Sequence, residues 1–211
     1  MSSSATFPTG QPDCHAKGWT ARVAFQGAYG AFSEEAAIKM LGPEILLVPR
    51  PTFRALFNSI DEGLADYALA PIENSLVGAI QPALDLLSEN SLIVAGEVVM
   101  RIRQNLIGCP GSVLEEIEVV ESHPVALAQC KRFFAQHTRV KRVETEDTAG
   151  SVARIIDRGD RKRAAIAGRR PAELYGGFII KEGLEDNPEN YTRFLLLSSP
   201  TKSVPPAVAG G

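Results

Sequence analysis

The chain has 211 residues, of which 45% are apolar, enough to bury the core of one sizeable domain or of two small lobes. Its 22 Lys and Arg residues against 25 Asp and Glu residues give a net charge of −3 without a long basic run, which excludes a typical nucleic-acid-binding surface. No apolar run approaches the roughly 20 residues that span a bilayer, and the first twenty residues contain no signal-peptide core, so we expect a cytoplasmic protein without membrane partners.

The two ends of the chain and the cysteines carry no expected chemistry. Residues 1–20 and 199–211 are rich in Ser, Pro, Gly and Ala and are predicted to be flexible tails. The cysteines Cys14, Cys109 and Cys130 are odd in number and lack Cys-x-x-Cys spacing, which argues against a disulfide framework or a structural zinc site. Free thiols fit a reducing compartment.

Residues 22–70 predict the order strand, helix, strand, helix, strand, which favours a parallel sheet. The predicted elements are the strand 22–26, the helix 34–41 with Ser33 as N-cap, the strand 45–48, the helix 52–62 capped by Thr52 and closed by Gly63, and the strand 67–70. A turn with Gly27 and Gly30 follows the first strand. It places free backbone N–H groups and a helix N-terminus where they favour a negative ligand, although two glycines are too few for a phosphate motif.

Three polar residues, Glu73, Asn74 and Ser75, follow the strand 67–70. Beyond the carboxyl end of a parallel strand they are expected to form a polar clamp for a ligand. Alternatively, Asn74 or Ser75 only caps the next helix, which runs through about Leu87. The sequence leaves both interpretations open.

A second unit is predicted to begin near residue 101, after a long strand at 92–99. Its predicted strands are 105–108, 117–120, 140–143, 164–167 and 178–180. The sequence therefore predicts one lobe from about 21–100 plus 181–198, and another from about 101–180.

Ser122, Ala126, Gln129 and Phe133 are spaced by four, three and four residues, so on a single helix they share one face. Ser122 and Gln129 are therefore expected to point at one ligand. The opposite stripe is predicted to face the core and consists of Leu127, Cys130 and Phe134.

Another helix N-terminus is predicted near residue 147. Asp147 or Thr148 is the expected N-cap, and the low bulk of the residues that follow leaves this end open to a negative group, with Glu146 nearby.

His123 precedes an earlier helix. We interpret it as a cap or a surface group rather than a catalyst, because no second His or Cys lies close enough in sequence to suggest a metal site.

The stretch 186–197 runs from a loop of turn-forming residues into an apolar strand. At the start of this strand, Thr192 and Arg193 supply a hydroxyl and a permanent cation that are expected to face a small anionic ligand together. The alternative is an ordinary strand entry, with Arg193 paired to Glu189 or Asp186.

Taken together, residues 22–198 resemble the catalytic domain of the prephenate dehydratase family, which also includes arogenate dehydratases. The resemblance depends on motifs that occur in a fixed order rather than on any single motif. They are Val23-Ala24-Phe25-Gln26-Gly27 with Gly30-Ala31-Phe32-Ser33, Pro71-Ile72-Glu73-Asn74-Ser75 with Gly78, Ser122-His123-Pro124 with Ala128-Gln129-Cys130, Asp147-Thr148-Ala149, Ala164-Ala165-Ile166-Ala167, Ala172-Glu173-Leu174-Tyr175-Gly176, and Asn190 with Thr192-Arg193-Phe194.

The resemblance implies an α/β fold of two lobes like type II periplasmic binding proteins, with the site in the interlobe cleft. It implies loss of carbon dioxide and water from prephenate to give phenylpyruvate in phenylalanine biosynthesis, without metal or cofactor, by a homodimer. The alternative substrate is arogenate, which would give phenylalanine, and no residue decides between the two. An alternative of another class is a non-catalytic module that binds small carboxylates.

The resemblance also implies roles for individual residues. Thr192 would donate to the leaving hydroxyl, Arg193 would bind a substrate carboxylate or brace the site, and Phe194 would pack beneath the ring or order the strand. Since a threonine hydroxyl is too weak an acid to act alone, Thr192 is expected to relay a proton from a neighbour such as Glu73, held protonated in a closed cleft. The remaining polar positions would orient the carboxylates and the carbonyl side chain, and they are Asn74, Ser75, Ser122, Gln129, Glu146 and Thr148.

Two residues and one segment depart from the family pattern. Val125 stands where Gln is usual, and Tyr191 stands where Val is common. Family members commonly continue into a regulatory ACT domain that binds phenylalanine. Feedback inhibition through a fused domain is not expected here, unless the sequence is a fragment.

Overall fold

The computed structural model describes residues 21–201, which fold into two β-sheets covered by helices. Cys14, the predicted tail 1–20 and residues 202–211 lie outside the described part. The strands are β1 (Ala21–Gln26), β2 (Ile45–Arg50), β3 (Tyr67–Asn74), β4 (Gly78–Ala79), β5 (Ile93–Arg101), β6 (Asn105–Gly108), β7 (Val119–Ser122), β8 (Lys141–Glu144), β9 (Arg163–Ala167), β10 (Phe178–Lys181) and β11 (Tyr191–Ser198). The α-helices are α1 (Phe32–Leu41), α2 (Phe53–Asp61), α3 (Gln81–Glu89), α4 (Pro124–Ala128), α5 (Lys131–Gln136), α6 (Thr148–Arg158) and α7 (Arg170–Tyr175).

The first sheet has the strand order β2-β1-β3-β11-β5, with β4 added to β3. β1 is parallel to both β2 and β3, so the predicted parallel β-α-β-α-β unit is confirmed. β11 lies between β3 and β5 and is antiparallel to both. The last strand of the described residues is therefore an interior strand of the first sheet.

The second sheet has the order β10-β6-β9-β7-β8 and is built from residues 105–181. β7 is parallel to β8 and β9, whereas β6 is antiparallel to β9 and β10. Two connections, 102–104 and 182–190, join this sheet to the first. This is the two-lobed α/β architecture that the sequence predicted.

The four apolar residues 194–197 of β11 are buried on both faces of the first sheet. Leu195 and Leu197 belong to one core cluster, and Phe194 and Leu196 belong to another. Successive strand residues point to opposite faces, and helices cover both, which explains why the run is continuously apolar. The same alternation decides which of the polar residues before this run can reach a common site.

The turn after β1 packs against α7 of the second sheet. Gly30 has a φ of +88°, and a Cβ at this position would lie 2.9 Å from the Cα of Pro171. The Gly30 N–H donates to Glu34 Oε2 at 2.7 Å, and Glu34 Oε1 lies 3.1 Å from Arg170 Nε. Tyr175 also donates from its hydroxyl to the carbonyl of Tyr29 at 2.8 Å. These contacts hold the two halves of the molecule together on one side of the space between them.

Several local predictions are corrected by the structure. Helix α1 begins at Phe32, so Ser33 lies in the first turn and is not the N-cap. Thr52 does cap α2, by accepting from Ala55 N at 3.1 Å, and Asp147 caps α6 by accepting from Gly150 N. Within residues 21–201, no helix is both long and apolar enough to cross a membrane.

Candidate active site

A cleft of about 310 Å³ lies between the two sheets. From the first sheet it is lined by the Gly27 turn, the start of α1, the end of β3 and the start of β11. From the second it is lined by α4 and by the N-terminus of α6. Ligand sites of this size are commonly found between lobes, where concave surface is available from both sides.

Thr192 and Phe194 both line the cleft because they are two residues apart on β11. Thr192 is 7% exposed and Phe194 is 1% exposed, so the strand holds both rigidly. Oγ1 of Thr192 lies 3.0 Å from Nδ2 of Asn74, which is also a lining residue and stands opposite Thr192 in the pairing of β3 with β11. An amide nitrogen can only donate, so the hydroxyl oxygen accepts and its hydrogen is left for another partner.

A chain of side-chain amides leads away from Thr192. Asn74 Nδ2 also donates to Asn190 Oδ1 at 2.8 Å and shares its hydrogens with the carbonyl oxygen of Tyr191 at 3.1 Å, and Asn190 Nδ2 donates to Gln129 Oε1 at 3.0 Å. Gln104 Nε2 donates to the same oxygen at 3.3 Å. Asn190 and Gln104 belong to the two connections that join the sheets, so these hydrogen bonds tie both connections to the cleft.

Arg193 and Glu73 do not reach the cleft. Because β11 begins at Tyr191, Arg193 points to the opposite face from Thr192, where its guanidinium donates to Glu97 Oε2 at 2.6 and 3.1 Å. Glu73, its neighbour in the strand register, is likewise exposed. The structure therefore places Thr192 and Arg193 on opposite faces of β11, and neither Arg193 nor Glu73 lines the cleft; the catalytic roles of Arg193 and Glu73 stay predictions.

Ser75 and Ser122 also have structural partners rather than lining positions. The Ser75 hydroxyl donates to the carbonyl of Glu189 at 2.8 Å and accepts from Tyr191 N at 2.9 Å, so it fastens β3 to the chain before β11. Neither Ser75 nor Asn74 caps α3, whose N-cap is Ile80. Ser122 is fully buried at the end of β7 and donates to the carbonyl of Ile166 at 2.6 Å.

The helix predicted to carry Ser122 and Gln129 on one face is interrupted. Helix α4 covers only Pro124–Ala128, Gln129 is its C-cap, and α5 begins at Lys131. Gln129 nevertheless lines the cleft together with Ala126, while the predicted core stripe of Leu127, Cys130 and Phe134 is buried.

Glu146, Asp147 and Thr148 line the cleft where α6 begins. Asp147 uses its carboxylate to cap the helix by accepting from Gly150 N, so Thr148 stands at the first helical position. A helix N-terminus favours a negative ligand group. Helix α1 brings a second N-terminus to the cleft through Phe32 and Ser33.

His123 lines the cleft as well, although the sequence indicated only a cap or a surface group. The cap is confirmed, since Nδ1 accepts from Val125 N at 3.2 Å. Burial lowers the pKa of His123 below its usual value, against the opposing pull of Asp147 and Glu144. An uncharged imidazole at neutral pH follows from this shift.

The charges of the cleft are unusual for a site that must hold an anion. Among the lining residues that the structure describes, Glu146 and Asp147 carry carboxylates, and none is Lys or Arg. Anionic groups would therefore be held by helix N-termini and by neutral donors such as Thr192 and the side-chain amides. Sequence reasoning also missed Gln26 and Gln104 as lining residues: Gln26 belongs to one of the family motifs but received no role, and Gln104 lies in none of them.

Comparisons with known proteins agree with one another. The family model described as prephenate dehydratase matches residues 23–202. An arogenate dehydratase of Petunia hybrida is 41% identical over 182 residues, which are 86% of this chain and 43% of that protein. The chain thus spans about half or less of the length of the curated relatives it matches.

Two solved structures resemble the fold over 88% of the chain. The prephenate dehydratase of Arthrobacter aurescens, solved in complex with L-Phe, has a TM-score of 0.79 and 28% identity, with 62% of that chain covered. A protein described as a novel type of quorum-quenching acylase has a TM-score of 0.77 and 33% identity, with 66% of that chain covered.

Proposed function

The chain belongs to the prephenate dehydratase family, and on this premise we propose that it is a hydro-lyase that removes carbon dioxide and water from prephenate to give phenylpyruvate, or from arogenate to give phenylalanine. The observation that carries the proposal is the arrangement of Thr192, whose hydroxyl oxygen accepts from Asn74 while the residue lines the cleft. The hydroxyl hydrogen is then available for the oxygen that leaves the substrate ring.

The reaction makes limited demands on the protein. Aromatisation of the ring supplies the driving force, so the site must hold the substrate, stabilise the departing hydroxyl and keep the ring carboxylate poorly solvated. A threonine hydroxyl has too high a pKa to be a strong acid. Thr192 therefore acts as a hydrogen-bond donor to the leaving hydroxyl. The electron pair of the bond to the ring carboxylate moves into the ring as carbon dioxide leaves, the ring C–O bond breaks, and the hydroxyl takes a proton from solvent and departs as water.

The other lining residues position the substrate. Phe194 supplies an apolar surface beneath the ring, and the N-termini of α1 and α6 bind the carboxylates without a cationic side chain. Asn74 and Gln129 fix the polar groups through their hydrogen bonds, and Glu146 and Thr148 border the same space. Arg193 braces the sheet from its other face through Glu97.

Acylase activity, which describes one structural neighbour, would call for an activated nucleophile or an activated water. Thr192 instead accepts a hydrogen bond from a neutral amide, which does not make its oxygen more nucleophilic. The geometry therefore favours donation by Thr192 over attack.

The direct test is to incubate the purified chain with prephenate and with arogenate, and to follow phenylpyruvate and phenylalanine. We expect turnover of at least one substrate without added metal or cofactor. Tight binding of an aromatic acid without turnover of either substrate would contradict the proposal and favour a binding module.

The homodimer and the cytoplasmic location expected from the sequence stay predictions. Light scattering on the purified chain tests the first, by distinguishing the mass of one chain from that of two.

A further inference from the structure

Gln104 lies in the connection between β5 and β6, and hydrogen bonds hold its backbone. It is 2% exposed, its backbone N–H donates to Glu185 Oε2 at 2.9 Å, and its carbonyl accepts from Leu184 N at 2.8 Å. The residue lines the cleft. The backbone of this lining residue is therefore held on both sides.

The direction in which the Gln104 amide points is set by the chain of amides that starts at Asn74. Asn74 Oδ1 accepts from the backbone N–H groups of Leu76 and Val77 at 3.0 and 3.2 Å, which can only donate. Nδ2 of Asn74 must then donate onward to Asn190 Oδ1, and Asn190 Nδ2 must donate to Gln129 Oε1. Gln129 Oε1 is thus an acceptor, so Gln104 presents Nε2 to it and keeps its own oxygen free.

That free oxygen has no partner. Gln104 Oε1 is shielded from solvent and makes no hydrogen bond among residues 21–201. The other buried side-chain atom without a partner, Ser198 Oγ, does not belong to a cleft-lining residue. A buried acceptor without a donor is costly, so a ligand that brings a donor to this oxygen gains affinity by satisfying it.

The two candidate substrates differ in whether their side chain can donate a hydrogen bond to this oxygen. The side chain of arogenate carries an ammonium group, which is a donor and a cation, whereas the corresponding keto group of prephenate has only an acceptor oxygen. Among the described lining residues none is Lys or Arg, and the carboxylate of Glu146 favours a positive group beside it.

We infer that Gln104 is a specificity-determining residue whose Oε1 accepts a hydrogen bond from the ammonium of arogenate and leaves prephenate at a disadvantage. The inference rests on the proposed function for the identity of the substrates. A site built to bind a donor rejects an analogue that lacks it, because the acceptor is then left unpaired.

The test compares kcat/KM for arogenate and prephenate in the wild type, in Gln104→Met and in Gln104→Glu. Methionine keeps the length of the side chain but removes both the carbonyl oxygen and the donor to Gln129, so the ratio of kcat/KM for arogenate to that for prephenate should fall about 10- to 100-fold. Glutamate keeps an acceptor, so its ratio of arogenate to prephenate should stay at or above that of the wild type. Equal losses for both substrates, or a lower ratio in Gln104→Glu, would overturn the inference.

Binding measurements separate this inference from the proposed function. Calorimetry with L-phenylalanine and phenylpyruvate, which differ only in the amino and keto groups, should give the wild type at least about tenfold tighter binding of L-phenylalanine. Gln104→Met should remove that difference, and Gln104→Glu should keep it. If neither substrate is turned over but this pattern holds, the proposed function fails and the role of Gln104 stands. Equal affinity of the wild type for both ligands would contradict the role of Gln104.

Discussion

Nδ2 of Asn74 lies 3.0 Å from Oγ1 of Thr192, across the pairing of β3 with β11. The amide is itself held by the backbone N–H groups of Leu76 and Val77, which occupy its oxygen. Three strand and turn segments thus converge to orient one hydroxyl. The consequence is that the hydrogen of Thr192, rather than its oxygen, is offered to a ligand in the cleft.

The first prediction concerns the orientation of Thr192. Asn74→Asp preserves the shape of the side chain and its acceptor for Leu76 and Val77, but it replaces the donor to Thr192 by a negatively charged acceptor. The hydroxyl hydrogen should then turn towards Asp, and kcat should fall by about 10²-fold or more, a typical loss for one oriented hydrogen bond at a reacting group. Steady-state kinetics measure this. Asn58→Asp, at an exposed position of α2, is the matched control and should leave kcat unchanged. A kcat for Asn74→Asp within threefold of the wild type would refute the role of Asn74.

The second prediction concerns Arg193. Because its guanidinium donates to Glu97 on the face away from the cleft, Arg193→Gln should raise KM for the substrate by less than about threefold, whereas loss of a direct carboxylate contact typically costs about tenfold or more. Glu97→Gln removes the same ion pair from its other side and should behave alike. A large rise in KM for Arg193→Gln alone would show that the guanidinium does contact the substrate.

The third prediction concerns the protonation of His123. Its pKa lies below the usual value of about 6.5 because the ring is partly buried. The unfolded chain therefore takes up a proton at a higher pH than the folded chain, so the free energy of unfolding should decrease as pH falls from about 6.5 towards the folded pKa. NMR titration measures the pKa directly, with His123→Gln to assign the resonance. The same variant should flatten this part of the stability curve, and a pKa above 6.5 would contradict the environment described for the ring.

The fourth prediction concerns the contact between the two sheets. Glu34 is 1% exposed, and its carboxylate depends on Arg170 and on the Gly30 N–H. Arg170→Met leaves that carboxylate buried with one partner fewer and should lower the free energy of unfolding by about 2 kcal/mol. Adding Glu34→Gln removes the charge and should restore part of the loss. Urea unfolding of both variants provides the measurement, and an unchanged free energy for Arg170→Met would mean that the pair contributes nothing.

The parallel half of the first sheet could be predicted because its signals are local. Apolar strands, the Thr52 cap and Gly63 mark each boundary within a few residues. The cap at Asp147 was likewise predictable, since a carboxylate before a helix can bond the N–H three residues on. The ordered motifs also identified the cleft and several of the residues that line it, among them Thr192, Phe194 and Gln129.

The faces of the strands were harder to predict. Thr192 and Arg193 looked like the end of a loop, where neighbouring side chains can converge, but β11 already includes Tyr191 and so separates them. Glu73 was displaced for the same reason, because β3 continues to Asn74. The interruption between α4 and α5 contains no Gly or Pro, so the periodicity of the sequence gave no warning of it.

Gln104 and Asn190 depend on contacts that no local pattern records. Both lie in connections between the sheets. Each bonds Gln129, which is 25 residues from Gln104 and 61 residues from Asn190 in the sequence. Only the pairing of β3 with β11 brings the amides into one chain of hydrogen bonds. The sequence could therefore identify the family, but it could not identify the acceptor that distinguishes the two substrates.

The most direct test of the account is the kcat of Thr192→Val and Thr192→Ser with the better of the two substrates. Valine has nearly the shape of threonine without the hydroxyl, so kcat should fall by about 10²-fold or more while the free energy of unfolding drops by only about 1 kcal/mol. Serine keeps the hydroxyl and should retain most of the activity. A Thr192→Val enzyme with near-normal kcat, or a Thr192→Ser enzyme as impaired as Thr192→Val, would contradict the donation of a hydrogen bond from Thr192 to the leaving hydroxyl.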